Sequence, residues 1–455
     1  MGAHSLRRLT GGHYHLLLAT AFLLVLGALG GASRADEIQQ SFVRLAAIFV
    51  IAAALWPLDF AAFQDARAPA IGLALIYLLL LVQLIPVPPD LWARMAGHGL
   101  YATIAQRTQS VGWRPWTVSP DLTLNALGAL VPATAIGLLT LALDFRGRLV
   151  LARVIVGIAC GSALLGILQF AAGGDSLHLF RTTSENSAVG LFANRNHQAV
   201  LMSCALPILA ALASIRLRQQ GSSGRVLGLS LAGGALLLMA AAATGSRMGL
   251  LLAFIGMAAA VAIYLVTVPT RSEGRSRFLL AGAGVALAAA VPISLLLARS
   301  GAAERLASDP VDQTRLAELG PMLQAARAFM PCGAGFGTFD AVYRRFEPDA
   351  LLSTIYLNQA HNEPMQLAIE GGVPALVLLA LFIIWWLRAS VRVVSRTGSA
   401  SRRALGMAMA ATTLILMLSS LVDYPLRTPL LSGLFAIACV ELLRAKRRVE
   451  AVPST

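Results

Sequence analysis

The chain reads as an all-α integral membrane protein of about twelve transmembrane helices, with one large outer loop before the tenth. Three observations lead there. Of its 455 residues, 57% are hydrophobic and 13% charged, and the mean hydropathy is +0.72. Apolar runs of about 20 residues, the length that crosses ~30 Å of hydrocarbon as a helix, recur along the chain. Basic residues flank alternate loops, as the positive-inside rule requires. Soluble domains carry no such repeated runs, so the length is read as one polytopic bundle.

The expected spans lie at about 14–32, 42–60, 69–86, 124–144, 149–171, 197–214, 226–243, 248–268, 278–298, 366–387, 404–421 and 428–443. Leu6-Arg7-Arg8, Arg146 with Arg148, Arg216 to Arg225, Arg271 to Arg277, Arg388 to Arg403 and Arg444 to Arg448 then fall on one side, which makes both termini cytoplasmic. The formal charge of +14 and pI near 10.8 are thereby explained by topology and anionic lipid, and nucleic acid is not an expected partner. The first span and Ala32-Ser33-Arg34-Ala35 also resemble a signal peptide with its cleavage site; the remaining topology is the same on either reading. Cys160, Cys204, Cys332 and Cys439 give no disulfide framework and no metal-binding spacing.

This divides the chain into N-terminal spans with a first outer loop (1–123), central spans (124–298), a large outer loop (299–365), C-terminal spans (366–443) and a basic tail (444–455). The large loop has helical spacing over Ala302 to Met330, broken at Asp309-Pro310, and a second short helix is expected over Phe339 to Phe346. Gly333, Gly335 and Gly337 between them are not a dinucleotide fingerprint, since no strand precedes them; they suit a sharply turning linker.

Outward-facing arginines run against the topology rule. Arg247 sits in the minimal turn Thr244-Gly245-Ser246-Arg247. Arg195, Arg315, Arg327, Arg344, Arg345 and Arg427 share its side and form a basic rim suited to phosphate oxygens. Blander readings stand beside this one. Arg247 and Arg427 could snorkel to headgroups, Arg344 and Arg345 look like a solvated charge run, and Arg315 with Glu318 is spaced as a surface pair. Asn362 or Glu363 could merely cap the tenth span, with Pro364 in its first turn, while His361 satisfies a carbonyl.

Taken in order, Phe192-Ala193-Asn194-Arg195-Asn196-His197, Thr244-Gly245-Ser246-Arg247, Arg315 through Pro331 to Gly337, Ala360-His361-Asn362 with Glu370-Gly371-Gly372, and Asp423-Tyr424-Pro425-Leu426-Arg427 resemble the O-antigen ligase and O-antigen polymerase superfamily. The resemblance spans residues 190–440; the first 120 match only as generic spans. It implies a multi-pass protein of the bacterial inner membrane. At its periplasmic face such a protein moves a glycan from undecaprenyl diphosphate, with inversion, to an acceptor hydroxyl: lipid A core, a growing polysaccharide, exopolysaccharide or protein. No nucleotide sugar, metal or other cofactor is implied. His361, Arg247 and Arg315 match the family's functional residues, and Glu363-Pro364 departs from the aromatic or leucine that usually follows the His-Asn pair.

In physical terms, fixed guanidinium groups stabilise a departing diphosphate, and an imidazole, ordinarily titrating near pH 6.5, takes or orients the acceptor proton. Asn194, Asn196 and Asn362 are candidates for sugar hydroxyls or for helix caps, and Arg195 and Arg427 for the donor's phosphates. The competing expectation is a solute or ion transporter. Its ionisable groups would lie near the bilayer midplane within repeated halves, whereas here the spans are nearly uncharged and show no convincing repeat.

Overall fold

The computed structural model describes residues 3–34, 36–55, 66–172, 177–181, 187–220, 224–268, 310–352, 357–395 and 399–444. In chain order its elements are α1 (Ala3–Leu29), α2 (Ile38–Leu55), α3 (Arg67–Gln83), β1 (Pro86–Val87), α4 (Pro89–Arg94), α5 (Gly99–Arg107), β2 (Arg114–Pro115), α6 (Pro120–Ala129), α7 (Val131–Ala142), α8 (Phe145–Ala172) and α9 (Arg195–Gln220). There follow α10 (Gly224–Ala243), α11 (Arg247–Thr267), α12 (Pro310–Phe329), α13 (Phe339–Tyr343), α14 (Glu363–Val394), α15 (Ala400–Ser419) and α16 (Pro429–Arg444).

An all-helical membrane architecture is what these elements form. The two short strands pair antiparallel, Pro86 with Pro115 and Val87 with Arg114. The expected ninth span, the basic segment 271–277, residues 299–309 and 353–356 of the large loop and the tail beyond Arg444 lie outside the described residues. A helix stands at each of the other eleven expected spans. Among the described residues seven segments are long and apolar enough to cross a membrane, α6 and α7 counting as one, while α1 and α3 supply shorter apolar stretches. The last two expected spans, α15 and α16, fall outside both groups. Their polar residues, Thr412, Thr413, Ser419 and Glu441 among them, are buried inside the bundle rather than turned to lipid.

α9 lies at the centre of the bundle, packed on α8, α10, α11 and α15, with 72% of its apolar window buried. Small residues let it approach its neighbours. A Cβ at Gly249 would stand 2.3 Å from the Ala199 methyl, and one at Gly256 2.5 Å from the Ser203 carbonyl. Hydrogen bonds fix which helix ends share a face. Ala193 N donates to Gly31 O after α1 (3.3 Å), Leu430 N in α16 to Gly30 O (3.1 Å), and Glu363 N at α14 to Ser420 O after α15 (2.8 Å). The starts of α9, α11, α14 and α16 therefore meet at one end.

Over that end the two outer loops make one cap. Buried Met322, Phe329, Phe339, Val342 and Tyr343 pack with Ala368 and Ile369 of α14, and with Tyr101 and Val118 of the first loop. The 333–337 turn is the keystone: Ala334 N donates to Ile369 O, Gly335 N to Glu370 O, Phe336 N to Gln83 Oε1, and Val118 N to Ala334 O, all at 2.9 Å. Gly335 needs its missing side chain, since φ is +113° and a Cβ would lie 1.9 Å from Thr117 Oγ1. α14 opens a kink to receive the turn. Gly372 has φ +59° and ψ −150°, and Val373 N donates to Pro331 O instead of continuing the helical ladder. The sharp linker expected from the three glycines is thus a docked turn, and the break at Asp309-Pro310 is where α12 begins.

Candidate functional site

At the mouth of α14, His361 is held in a conformation that its own backbone does not favour. Its φ is +48°, a left-handed value uncommon for a residue with a side chain. The flanking residues impose it: Ala360 N donates to Gln366 Oε1 (3.0 Å), while Asn362 caps α14 by accepting from Met365 N (2.9 Å), with Pro364 in the first turn. Asn362, a candidate for sugar hydroxyls, thus has its side-chain oxygen in the cap.

The imidazole meets a carboxylate that approaches from the turn between α15 and α16. His361 Nδ1 lies 3.3 Å from Asp423 Oδ1, and the Tyr424 ring stands edge-on to the imidazole, 4.7 Å between centroids. Asp423, 3% exposed, also accepts from Asn196 Nδ2 (2.8 Å) and faces His197 Nε2 at 3.8 Å. Burial alone would raise the Asp423 carboxyl. The His361 hydrogen bond, the His197 and His361 imidazoles and the Asn196 amide outweigh it and hold the group well below the usual carboxylate range. An ionised carboxylate thus orients His361.

Beside this dyad lies a second cluster. Arg427 grips Glu363 in a two-point pair, Nε to Oε1 at 2.8 Å and Nη2 to Oε2 at 3.1 Å, and its Nη2 is 3.9 Å from Glu370 Oε2. Burial pulls the Arg427 guanidinium down, but the carboxylates of Glu363 and Glu370 reverse this and hold it above an arginine's ordinary value. Glu370, 1% exposed, accepts from Phe339 N (3.1 Å) and from Gln366 Nε2 (2.9 Å). One buried carboxylate thereby links the loop turn, the segment before His361 and Arg427. Glu363, which follows the His-Asn pair, is held by its ion pair with Arg427 at the start of α14.

The remaining expected residues divide. Asn194 Oδ1 accepts from Asn196 N (2.8 Å), a local turn that starts α9 and leaves Asn196 to reach Asp423. Arg195 and Arg247 open neighbouring helices. Arg195 Nη1 lies 3.9 Å from where a Cβ of Gly245 would stand, in the tight turn before α11, and Ser246 caps that helix through Gly249 N (3.0 Å). Arg315 stands on α12, with its side chain outside what the structure describes. The surface pair expected of it with Glu318 is corrected at one end: Glu318 is 8% exposed, turned into the cap rather than onto a solvated face. Arg344 follows the solvated reading, paired with Asp340 one turn away and 56% exposed.

Sequence reasoning gave Asp423, Glu370, Gln366 and His197 no role. The signal available for the two acids was their rarity: each is a carboxylate in or beside an apolar run, where an uncompensated charge is costly.

The arrangement can orient an imidazole at a surface where four helix N-termini and several guanidinium groups favour negative charge. Residues 232–380 match the family model described as O-antigen ligase, a stretch from the middle of α10 through α11, the large loop and the first half of α14. It contains Arg247, Arg315 and His361, while Asn196, Asp423 and Arg427 lie beyond it. The resemblance to the O-antigen ligase and polymerase superfamily is thereby borne out. No curated protein matches the chain.

Proposed function

We propose that this membrane protein, with an O-antigen ligase match over residues 232–380, transfers a glycan from a lipid-linked diphosphate to an acceptor hydroxyl at the end of the bundle bearing His361. The observation that carries the reading is the His361–Asp423 dyad, set among the starts of α9, α11, α14 and α16 with Arg195 and Arg247 at two of them. In this reading Nδ1–H donates to Asp423, so Nε2 is the nitrogen with a lone pair for the acceptor proton. The acceptor oxygen bonds to the anomeric carbon as the bond from that carbon to the diphosphate oxygen breaks, with inversion. The hydroxyl proton passes to Nε2, and the diphosphate leaves as an anion.

Arg247, Arg195 and, by resemblance, Arg315 stabilise the charge that develops on the leaving oxygens, an effect worth about 10²–10³ in rate for one well-placed donor. Asn196 serves by aligning Asp423, and Asn194 and Asn362 by fixing the helix starts on which the dyad rests. Arg427 holds the first turn of α14 through Glu363 and keeps N–H groups for a donor phosphate. The donor is read as undecaprenyl diphosphate carrying an oligosaccharide, the acceptor as lipid A core or another glycan hydroxyl, and the site as the periplasmic face of the bacterial inner membrane.

The test is purified protein in detergent, mixed with undecaprenyl-diphosphate-linked oligosaccharide and candidate acceptors, wild type against His361→Ala. Donor consumption with a new product that needs His361 is expected, its length distinguishing ligation from polymerisation. Donor left intact by folded wild type with every acceptor would overturn the reading and direct the next assay to solute transport in vesicles.

A further inference from the structure

A cleft of about 310 Å³ opens at the other end of the bundle, between the start of α8, the end of α9 and the start of α10. Its walls are aliphatic, Leu209, Leu212 and Leu229 among them, and two guanidinium groups, Arg153 and Arg216, stand in its lining with no acidic residue beside them. The volume is that of a small ligand site. Along α9 it lies ~24 Å from Asn196, at 1.5 Å rise per residue, so the donor head group bound near His361 cannot fill it.

Several other basic residues at this end are engaged within the protein. Arg148 is buried against Glu441 at 2.5 Å, Arg218 donates to Thr267 O (2.7 Å), Arg444 to Leu141 O, and Arg402 lies over the Phe145 ring at 5.4 Å. Arg153 and Arg216 are exposed, and neither has a hydrogen bond or ion pair to a described residue. A guanidinium near the end of a membrane-crossing helix reaches for the interface, where lipid phosphate is the anion at hand. Bilayer lipid supplies one chemistry that fits both parts of the cleft: an acyl chain for the aliphatic wall and a phosphate for the arginine fork.

We propose that this cleft binds one anionic phospholipid from the leaflet opposite the candidate active site, its phosphate held between Arg153 and Arg216. The inference does not depend on the proposed transferase activity. Phosphatidylglycerol is the probe. Native mass spectrometry of the purified protein, titrated with phosphatidylglycerol or phosphatidylcholine, reads retention of a single lipid. The expected result is retention of phosphatidylglycerol at least tenfold tighter than phosphatidylcholine. The preference should be lost in Arg153→Ala/Arg216→Ala, largely kept in the corresponding double lysine variant, and lost in Ala213→Trp, which fills the cleft with both arginines present.

Equal retention of the two lipids, or a preference that survives both the double alanine and the tryptophan variants, would overturn the proposal. So would displacement by millimolar inorganic phosphate, which would mark an anion site without a lipid. Should the variants fail to fold, hydrogen exchange of the wild-type protein decides. Protection of 209–216 and 224–230 by phosphatidylglycerol alone supports the site, and protection elsewhere or by both lipids sinks it.

Discussion

His361 is strained and oriented at once. A left-handed φ costs a non-glycine residue of the order of 1–3 kcal/mol, and the chain accepts that cost where Gln366, Asn362 and Asp423 fix the residue from three directions. The roles predict graded losses. His361→Ala should lower kcat by about 10²–10⁴, the range of general acid–base catalysis. Asp423→Asn keeps the shape, removes the orienting charge and should cost from about 10–100-fold, the range for a metal-bound histidine losing its carboxylate partner, up to about 10⁴-fold, as in a Ser-His-Asp triad. Arg247→Ala should lower transfer by about 10²–10³, whereas Arg344→Ala, exposed and paired with Asp340 one turn away, should be nearly silent. Normal product from Arg247→Ala would sink the diphosphate role. The depressed Asp423 pKa also fixes a stability window. Its folded value lies below the unfolded value near 3.9, so its contribution is fully present above about pH 5 and is lost as pH falls through the folded pKa. In detergent melts, the Tm gap between wild type and Asp423→Asn should shrink as pH falls below about 4. A gap unchanged between about pH 5 and pH 3 would contradict a depressed Asp423 carboxyl.

Helix starts in this chain are written locally, and those were legible in the sequence. Asn362 with Pro364 at α14 and Pro310 at α12 each follow from cap and proline chemistry within four residues. What the glycines of 333–337 dock against was not legible. Gln83 and Glu370, which receive the turn, are separated by 287 positions, and no local pattern pairs them. Separation in sequence likewise hid the dyad, since no local pattern pairs His361 with Asp423 until the bundle joins them. The docked turn makes a sharp comparison possible between two glycines of the cap. Gly335→Ala forces a side chain into Thr117 and into φ +113°, and should lower Tm and expose the outer loop to limited proteolysis. Gly112→Ala has nothing within 4 Å of the new methyl and should leave both unchanged. Equal effects from the two substitutions would show that the turn does not hold the cap.

Across the whole molecule, polar chemistry is segregated to the two ends, and the ends differ in kind. One carries the cap, the dyad and the helix starts that favour anions. The other carries Arg148 against Glu441 and the cleft lined by Arg153 and Arg216. The positive-inside rule assigns the second end to the cytoplasm because its basic residues flank short loops, where charge sets orientation most strongly. Among the arginines of the first end, Arg427 is paired with Glu363 and Arg344 with Asp340 within the folded protein. The assignment is open to a direct measurement with a membrane-impermeant maleimide in a Cys332→Ser background, using Arg344→Cys at the capped end and Arg392→Cys, an exposed position at the far end of α14. In intact spheroplasts Cys introduced at 344 should react and Cys at 392 should not, and both should react after lysis. The reverse pattern would put His361 on the cytoplasmic side, where a glycan presented at the periplasmic face could not reach it, and the proposed transfer would fail with the topology.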